Sequence, residues 1–508
     1  MRVGLRSQRP QRRASGRYSG GRPGLRKSPN SRSPWRHACP RSGSRGAPSP
    51  RALRPNRSRP MIDAKVLKES YAAHLHWLTG AYALALQKHA FDGVVIHSGA
   101  PKPRSIFDDQ FWQLRPVPHF HHWLPLETSR SALLIEPGHK PTLFWFNVVD
   151  FWEAPRQPES DHFWGAFEVK EVASPAAIRD LLPRGGKLAF IGEEKGDCCD
   201  TWSLPESAYN PPELLKALDQ LRVLKTPYEQ HCLREANRRA AVGHRAVQEL
   251  FRKGDMSEFE LHLAYLRATG QDDPETPYKN IVALGRNAAT LHHVGYGREK
   301  SGAQTLLLDA GAKCLGYDSD ITRTAVRGKG AAADAFKLLV AGLERTQQRL
   351  CAAATIGRPF EALHDQTHDL IAEVLREAGV AKASAAELVA SGVTRKFLPH
   401  GLGHSLGLQT HDVGCRNVAP RGDNPWLRNT TKIAVGQVFT VEPGIYFIDH
   451  LLAELRASPA GKVIDWTLIE ALKPFGGVRV EDDLIVQPTG VENATRVFLP
   501  EPPAILAA

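Results

Sequence analysis

Four acidic residues of this chain stand in runs that otherwise read as β-strand. They are Asp309 in TLLLDAG, Asp320 in YDSDITRTA, Glu442 in VFTVEPGIYF and Glu481 in GVRVEDDLIV. A carboxylate enclosed among apolar neighbours loses its hydration and needs a compensating partner. One such residue reads as a strand-end turn; four in one region call for a shared partner, and a cation serves all of them at once. His404, in LPHGLGHSLGLQTHD, adds an imidazole. Carboxylates bridge metal ions readily, so this set suits a pair of divalent ions of the Mn²⁺ or Zn²⁺ kind. His400 and His411 flank His404 in a stretch whose glycines permit close backbone approach. H-E-x-x-H is absent from the sequence, which excludes a helix-borne single-zinc site.

The 508 residues leave room for several domains. Leu and Ala at helical spacing predict a helix over 61–90. Short apolar runs predict strands at 93–99, 131–137, 141–147 and 187–193. Their alternation with helical stretches predicts an α/β domain over 61–220. Thr226-Pro227 divides the next helical stretch in two, because the residue before proline avoids the helical region. The domain boundary is therefore expected within 215–228. A second domain, 221–498, is expected to hold helices near 333–353 and 359–378. Its predicted strands are NIVALG and the four acidic runs, each read as one strand.

The net charge of +12 suggests a nucleic-acid partner, but its distribution argues otherwise. Residues 1–60 carry sixteen Arg, one Lys and no Asp or Glu; removing those seventeen cations from 66 leaves 49 against 54 acidic residues. The mildly acidic body has no general attraction to phosphate backbones. Nine Pro and seven Gly in 1–60 predict a disordered basic extension, with Met61 as the working start. Residues 499–508 read as a short tail. No apolar run is long enough to cross a bilayer, so no membrane partner is expected. The seven cysteines show no C-x-x-C pair and read as free thiols of a cytoplasmic protein, with Cys314 and Cys415 as buried structural thiols.

The blocks D-A-G-x(4)-G-Y-x-x-D-x-T-R, H-G-x-G-H-x-x-G-L-x-x-H-D, T-V-E-P-G-I-Y-F and G-V-R-V-E-D occur in this order. Together they resemble the dinuclear pita-bread metallopeptidases, the group of methionine aminopeptidase, aminopeptidase P and prolidase. The likeness is nearest to the bacterial prolidases, or Xaa-Pro dipeptidases. It extends through TPYKNIVALGRNAATLHH and IEALKPFGGVRVEDD and covers nearly all of 61–498. It implies an α+β pita-bread (creatinase/aminopeptidase-like) catalytic domain behind the α/β N-terminal domain. It also implies two divalent ions per subunit, most simply Mn²⁺, with Zn²⁺ or Co²⁺ as alternatives, held by Asp309, Asp320, His404, Glu442 and Glu481. Asp320 and Glu481 would bridge the ions, and Glu442 would also handle the proton. His292, His400 and His411 match substrate-contacting histidines, with His400 or His411 stabilising the oxyanion. Arg428 matches an arginine that grips the substrate's C-terminal carboxylate, which would restrict cleavage to Xaa-Pro dipeptides. Asp108 and Asp109, in IFDDQFW, match a segment that reaches the amino end of the substrate from a partner subunit, implying a homodimer. One departure is visible: Leu291-His292-His293 stands where prolidases usually read L-H-Y. The resemblance further implies side activity on organophosphate esters.

Two readings compete. Gly403-His404-Ser405-Leu406-Gly407 is a literal G-x-S-x-G, but that motif needs a strand before it and a helix after it, and Pro399 and GLQTHDVGCRN do not provide them. Within the metallopeptidases, an aminopeptidase P-like removal of the first residue from longer Xaa-Pro peptides is the runner-up. A metal-free binding protein on the same scaffold is disfavoured by the full ligand set.

Overall fold

The computed structural model describes residues 62–147, 161–414 and 418–500. The expectations for residues 1–60, Met61, Cys415 and most of the C-terminal tail fall outside them. Helix α1 (Ala64–Lys88) starts at Asp63, whose side chain accepts the Lys65 and Val66 N–H groups at 2.8 and 3.3 Å. Its buried residues, from Leu67 through Tyr71, Leu75, Leu78 and Tyr82 to Leu86, recur every three or four positions and form one face. That face packs beside a five-stranded sheet of order β4-β3-β2-β1-β5. The strands are β1 (Gly93–His97), β2 (Ala132–Ile135), β3 (Thr142–Phe146), β4 (Glu168–Val172) and β5 (Leu188–Ile191). The pairs β1–β5 and β3–β4 are parallel, and β1–β2 and β2–β3 antiparallel. Sequence reading missed β4, because EVKEV is mostly exposed and has no apolar run. Helices α2 (Pro118–Trp123) and α3 (Pro175–Leu181) lie in the connections.

Helix α4 (Pro212–Leu221) is followed by α5 (Pro227–Lys253), whose first turn is closed by a Thr226/Glu229 capping box. Leu214, Leu218, Cys232 and Leu233 join α1 and the sheet in one apolar cluster that continues into Leu406, Leu408, Val438 and Ile485. Each fully enclosed leucine there contributes roughly 2 kcal/mol of hydrophobic stabilisation.

Helix α6 (Glu258–Thr269) leads to strands β6 (Ile281–Leu284), β7 (Thr305–Asp309), β8 (Lys313–Cys314), β9 (Tyr317–Asp318) and β10 (Thr322–Val326). After α7 (Ala331–Ala353) and α8 (Phe360–Glu377) come β11 (Val438–Val441), β12 (Gly444–Tyr446), β13 (Gly477–Arg479), β14 (Asp482–Gln487) and β15 (Gly490–Asn493). The sheets are β10-β7-β6, β11-β14-β15, β12-β13 and β8-β9.

Three of the acidic runs read as single strands are each two strands. Asp320 lies between β9 and β10, Glu442 between β11 and β12, and Glu481 between β13 and β14. Strand β11 pairs with β14 while β12 pairs with β13, so both chains change sheet at the same level. Apolar alternation is unaffected by such a change of partner, and the sequence therefore hides it. The breaks free the acids from a strict alternation of faces.

Candidate active site

Asp309 closes β7 and pairs with Thr322 of β10; Thr322 is in turn bridged to Glu481. This layer sets two carboxylates on either side of one threonine, whose hydroxyl donates to Glu481 Oε2 at 2.7 Å. On the opposite wall, β11 holds the histidine segment. The His404 N–H donates to Thr440 Oγ1 at 3.2 Å, and Thr440 N–H donates to His404 O at 2.9 Å. A Cβ at Gly403 would stand 2.1 Å from Thr440 O, so only glycine lets the segment lie this close.

The side chains converge. His404 Nε2 lies 3.5 Å from Asp320 Oδ2, 3.7 Å from Glu442 Oε1 and 4.0 Å from Glu481 Oε1. Its Nδ1 is 3.1 Å from Ser405 O, and a carbonyl only accepts, so Nδ1 carries the proton. Burial lowers the His404 pKa and keeps the ring neutral. The Nε2 lone pair therefore faces the oxygens of the acid cluster. Burial, followed by the neighbouring acids, raises Asp320 and Glu481 well above the usual carboxylate range. Burial likewise pushes Glu442 up to about 7. Among the described residues Arg479 is the one cation bonded within the cluster, donating to Asp309 Oδ2. Four carboxylates thus meet one guanidinium, and like charges about 4 Å apart repel by about 4 kcal/mol at an effective dielectric of 20. Divalent cations remove the repulsion and satisfy the His404 lone pair, so this donor set fits them.

The cluster opens into a cavity of about 1340 Å³. His292, His400, His411 and Arg428 line it together with all five cluster residues. His400 Nε2 is 2.9 Å from the Tyr446 hydroxyl, and burial lowers the pKa of His400 to about 3. His411 packs edge-on against His404, with ring centroids 4.4 Å apart, and burial lowers its pKa to about 3 as well. Arg428 is exposed and makes no hydrogen bond or ion pair among the described residues. Asp108 and Asp109 do not line the cavity within the chain. They stand on an exposed segment where Asp109 Oδ1 accepts from Gln110 Nε2 at 3.0 Å. The segment around Ser405 is neither preceded by a strand nor followed by a helix, so the nucleophile-elbow context is absent.

Sequence reading missed several residues. The Tyr278 hydroxyl lies 2.6 Å from Asp309 Oδ1 and 2.5 Å from Asp320 Oδ1, although it has one proton to donate. Arg479 links Asp309, Thr322 and Tyr446. Asp483 accepts the Asp320 N–H at 3.0 Å and the Asn237 amide at 2.8 Å, fixing the Asp320 backbone from behind. Tyr278 and Arg479 lie in quoted blocks, TPYKN and GVRVED, but nothing in the spacing assigns them a target. A second group of metal-type side chains, His74, His122 and Glu229, is buried where α1, α2 and α5 meet. There both His74 nitrogens are engaged, with Thr226 Oγ1 and His122 O, each at 2.8 Å.

An α/β N-terminal half followed by sheets that gather four acids and a neutral imidazole in an open cavity defines a metal-dependent hydrolase. Residues 231–488 match metallopeptidase family M24, and residues 69–220 match the Xaa-Pro dipeptidase N-terminal domain. The Xaa-Pro dipeptidase of Aeromonas hydrophila is 39% identical over 438 residues, covering 84% of this chain and 98% of that protein. That of Pseudoalteromonas haloplanktis is 39% identical over 444 residues, with the same coverage of 84% and 98%. Proline aminopeptidase P II from Yersinia pestis shares the fold, with a TM-score of 0.62 at 21% identity over 86% of this chain and 97% of that one. The chain belongs to metallopeptidase family M24. It is a metallopeptidase, and divalent metal ions are its cofactor. Among the described residues no helix is long and apolar enough to cross a membrane.

Proposed function

We propose that this chain hydrolyses Xaa-Pro dipeptides, using two divalent ions, Mn²⁺ first among them, at Asp309, Asp320, His404, Glu442 and Glu481. The observation that carries this reading is a pair of unmet charges in one cavity: acids facing a neutral imidazole, and an Arg428 with no hydrogen bond or ion pair among the described residues. The Xaa-Pro dipeptidases at 39% identity support the substrate class. Bound in the cluster, the ions would supply Lewis acidity, giving a more acidic water and a polarised scissile carbonyl.

The chain's own residues do the rest. Arg428 holds the dipeptide's C-terminal carboxylate with a planar, permanently charged fork. That clamp suits proline, whose nitrogen offers no N–H to recognise. His292 contacts the substrate beside it. Glu442, at the edge of the cluster, takes a proton from water and delivers it to the proline nitrogen. His411, which is neutral, offers its N–H to the developing oxyanion. His400 spends its one N–H on Gly401 O at 2.8 Å, takes the Tyr446 hydroxyl at Nε2, and shapes the substrate space beside it. Asp109 of a second subunit accepts the free amino end, which makes the working unit a homodimer. Residues 61–220 form the N-terminal domain and 221–498 the catalytic one. The five described cysteines are free thiols, which supports a cytoplasmic location.

Metal-stripped protein reconstituted with Mn²⁺, Zn²⁺ or Co²⁺ and assayed on Xaa-Pro dipeptides and Xaa-Pro-Yaa tripeptides tests the reading. Fast dipeptide and slow tripeptide cleavage is expected, while rapid tripeptide cleavage overturns the dipeptidase assignment.

A further inference from the structure

The segment joining β6 to β7 brings His292 to the cavity. Beyond a short 3₁₀ turn at Gly285–Ala289 it contains neither helix nor strand as far as β7. It is nevertheless tied down at one point. Glu258, in the first turn of α6, is 2% exposed and receives four N–H groups. Its Oε1 accepts from Leu284 N at 2.9 Å and from Asn287 Nδ2 at 2.8 Å. Its Oε2 accepts from His293 Nε2 at 2.9 Å and from Gly297 N at 2.8 Å. Burial alone would raise the Glu258 pKa, but these donors hold it below the usual carboxylate range. One carboxylate therefore ties residues 287, 293 and 297 of a segment with no ladder of its own to Leu284 at the end of β6. Phe259 N–H adds a bond to Gly297 O at 3.1 Å, and the Tyr296 hydroxyl donates to Asn280 O at 2.6 Å.

Three of the four donors flank the turn from a distance. The imidazole of His293 belongs to the residue next to His292. His292 is exposed and lines the cavity, whereas the His293 side chain is 18% exposed and turned to Glu258. Consecutive residues thus divide between substrate space and anchor.

We infer that His293 is a positioning residue: by donating to Glu258 it holds the turn that presents His292 to the substrate cavity. The inference rests on the proposed function for what the cavity binds. A hydrogen bond to a buried carboxylate is strong. Its loss frees the turn, while the Leu284 and Gly297 N–H groups keep the rest of the segment in place. His293 touches neither the acid cluster nor any residue of the proposed proton path, so its effect falls on binding rather than on the bond-breaking step.

The test compares His293→Ala and His293→Gln, the latter able to offer an amide N–H to Glu258. Each is made alone and in a His292→Ala background, and two quantities are read: steady-state kinetics on an Xaa-Pro dipeptide, and amide hydrogen exchange over residues 290–298. For His293→Ala the KM should rise about tenfold with kcat within about twofold, and exchange over 290–298 should quicken. His293→Gln should restore most of both. In the His292→Ala background, His293→Ala should raise KM little further. An unchanged exchange rate in His293→Ala, or an equal KM increment in both backgrounds, overturns the inference. Absence of any Xaa-Pro cleavage by the unaltered protein would overturn the proposed function instead, and the exchange measurement would still decide the role of His293.

Discussion

Glu481 and Asp482 are consecutive carboxylates, 2% and 0% exposed, with opposite surroundings. Asp482 is met by Arg323 Nη2 at 2.6 Å and Arg496 Nε at 2.7 Å, with Gln347 and Asn493 amides on the same group. Burial would raise its pKa, yet the two guanidiniums take it down to about 2. Asp412 is similar, paired with Arg222 at 2.5 Å and Lys225 at 3.0 Å. Glu481 faces Asp320, Glu442 and a neutral imidazole, and its pKa is raised well above the usual range by burial and those acids. Enclosure is therefore common to both neighbours, and what separates them is the counter-charge: Asp482 is braced by two arginines, whereas Glu481 looks onto other acids and a neutral imidazole, a setting that divalent cations fit. Arg428 is the mirror case, a cation in the same cavity with no carboxylate partner among the described residues.

The largest test of this contrast is substitution of the two neighbours. Glu481→Gln should cut metal affinity by more than about 100-fold, beyond the loss seen for residues that only orient ligands, and activity should fall with it. The metal-free variant should be no less stable than the metal-free parent, because a repelled charge has been removed; metal content and denaturant midpoints measure both. Asp482→Asn should do the reverse. It leaves the buried Arg323 and the partly buried Arg496 short of charge and should cost about 3–5 kcal/mol of stability while the remaining folded protein still binds metal. Equal destabilisation by both substitutions would break the comparison.

Arg428→Ala should raise the dipeptide KM by about 10- to 100-fold, with a smaller effect on tripeptides, narrowing the difference between them. Kinetics on matched Xaa-Pro and Xaa-Pro-Yaa substrates measure this.

The smallest effects concern pH. Asp482 has a lowered folded-state pKa, so its contribution is complete above the ordinary carboxylate range and disappears as pH falls towards about 2. Glu442, raised to about 7 without metal, has the opposite sign: its folded form holds the proton more tightly, and stability is lost as pH rises through about 7. Metal-free protein should therefore weaken between about pH 5 and pH 8, and metal should abolish that slope. Thermal midpoints across this range, with and without Mn²⁺, test the sign.

Much of the architecture was legible locally. The predicted helices at 61–90, 333–353 and 359–378 correspond to α1, α7 and α8, and Thr226-Pro227 does separate α4 from α5. Helix α6 escaped notice because its apolar face is short and carries the buried polar residues Glu258 and His262. Strand β4 escaped because it is exposed. The departure at His293 was visible as a letter, but its partner Glu258 lies 35 positions earlier and only the fold introduces them.

What the sequence by itself determined was the inventory: five residues able to bind metal, an arginine suited to a carboxylate, and apolar periodicities strong enough to place most elements. Side-chain chemistry and local periodicity are written in the order of the letters. Only the tertiary structure decided that strands break at Asp320, Glu442 and Glu481, that Glu481 faces the cavity while Asp482 faces two arginines, and that Tyr278 and Arg479 hold the cluster. Which counter-charge an enclosed acid meets depends on contacts between segments as far apart as Arg323 and Asp482, and electrostatics in a low-dielectric interior follows distance in space rather than distance along the chain.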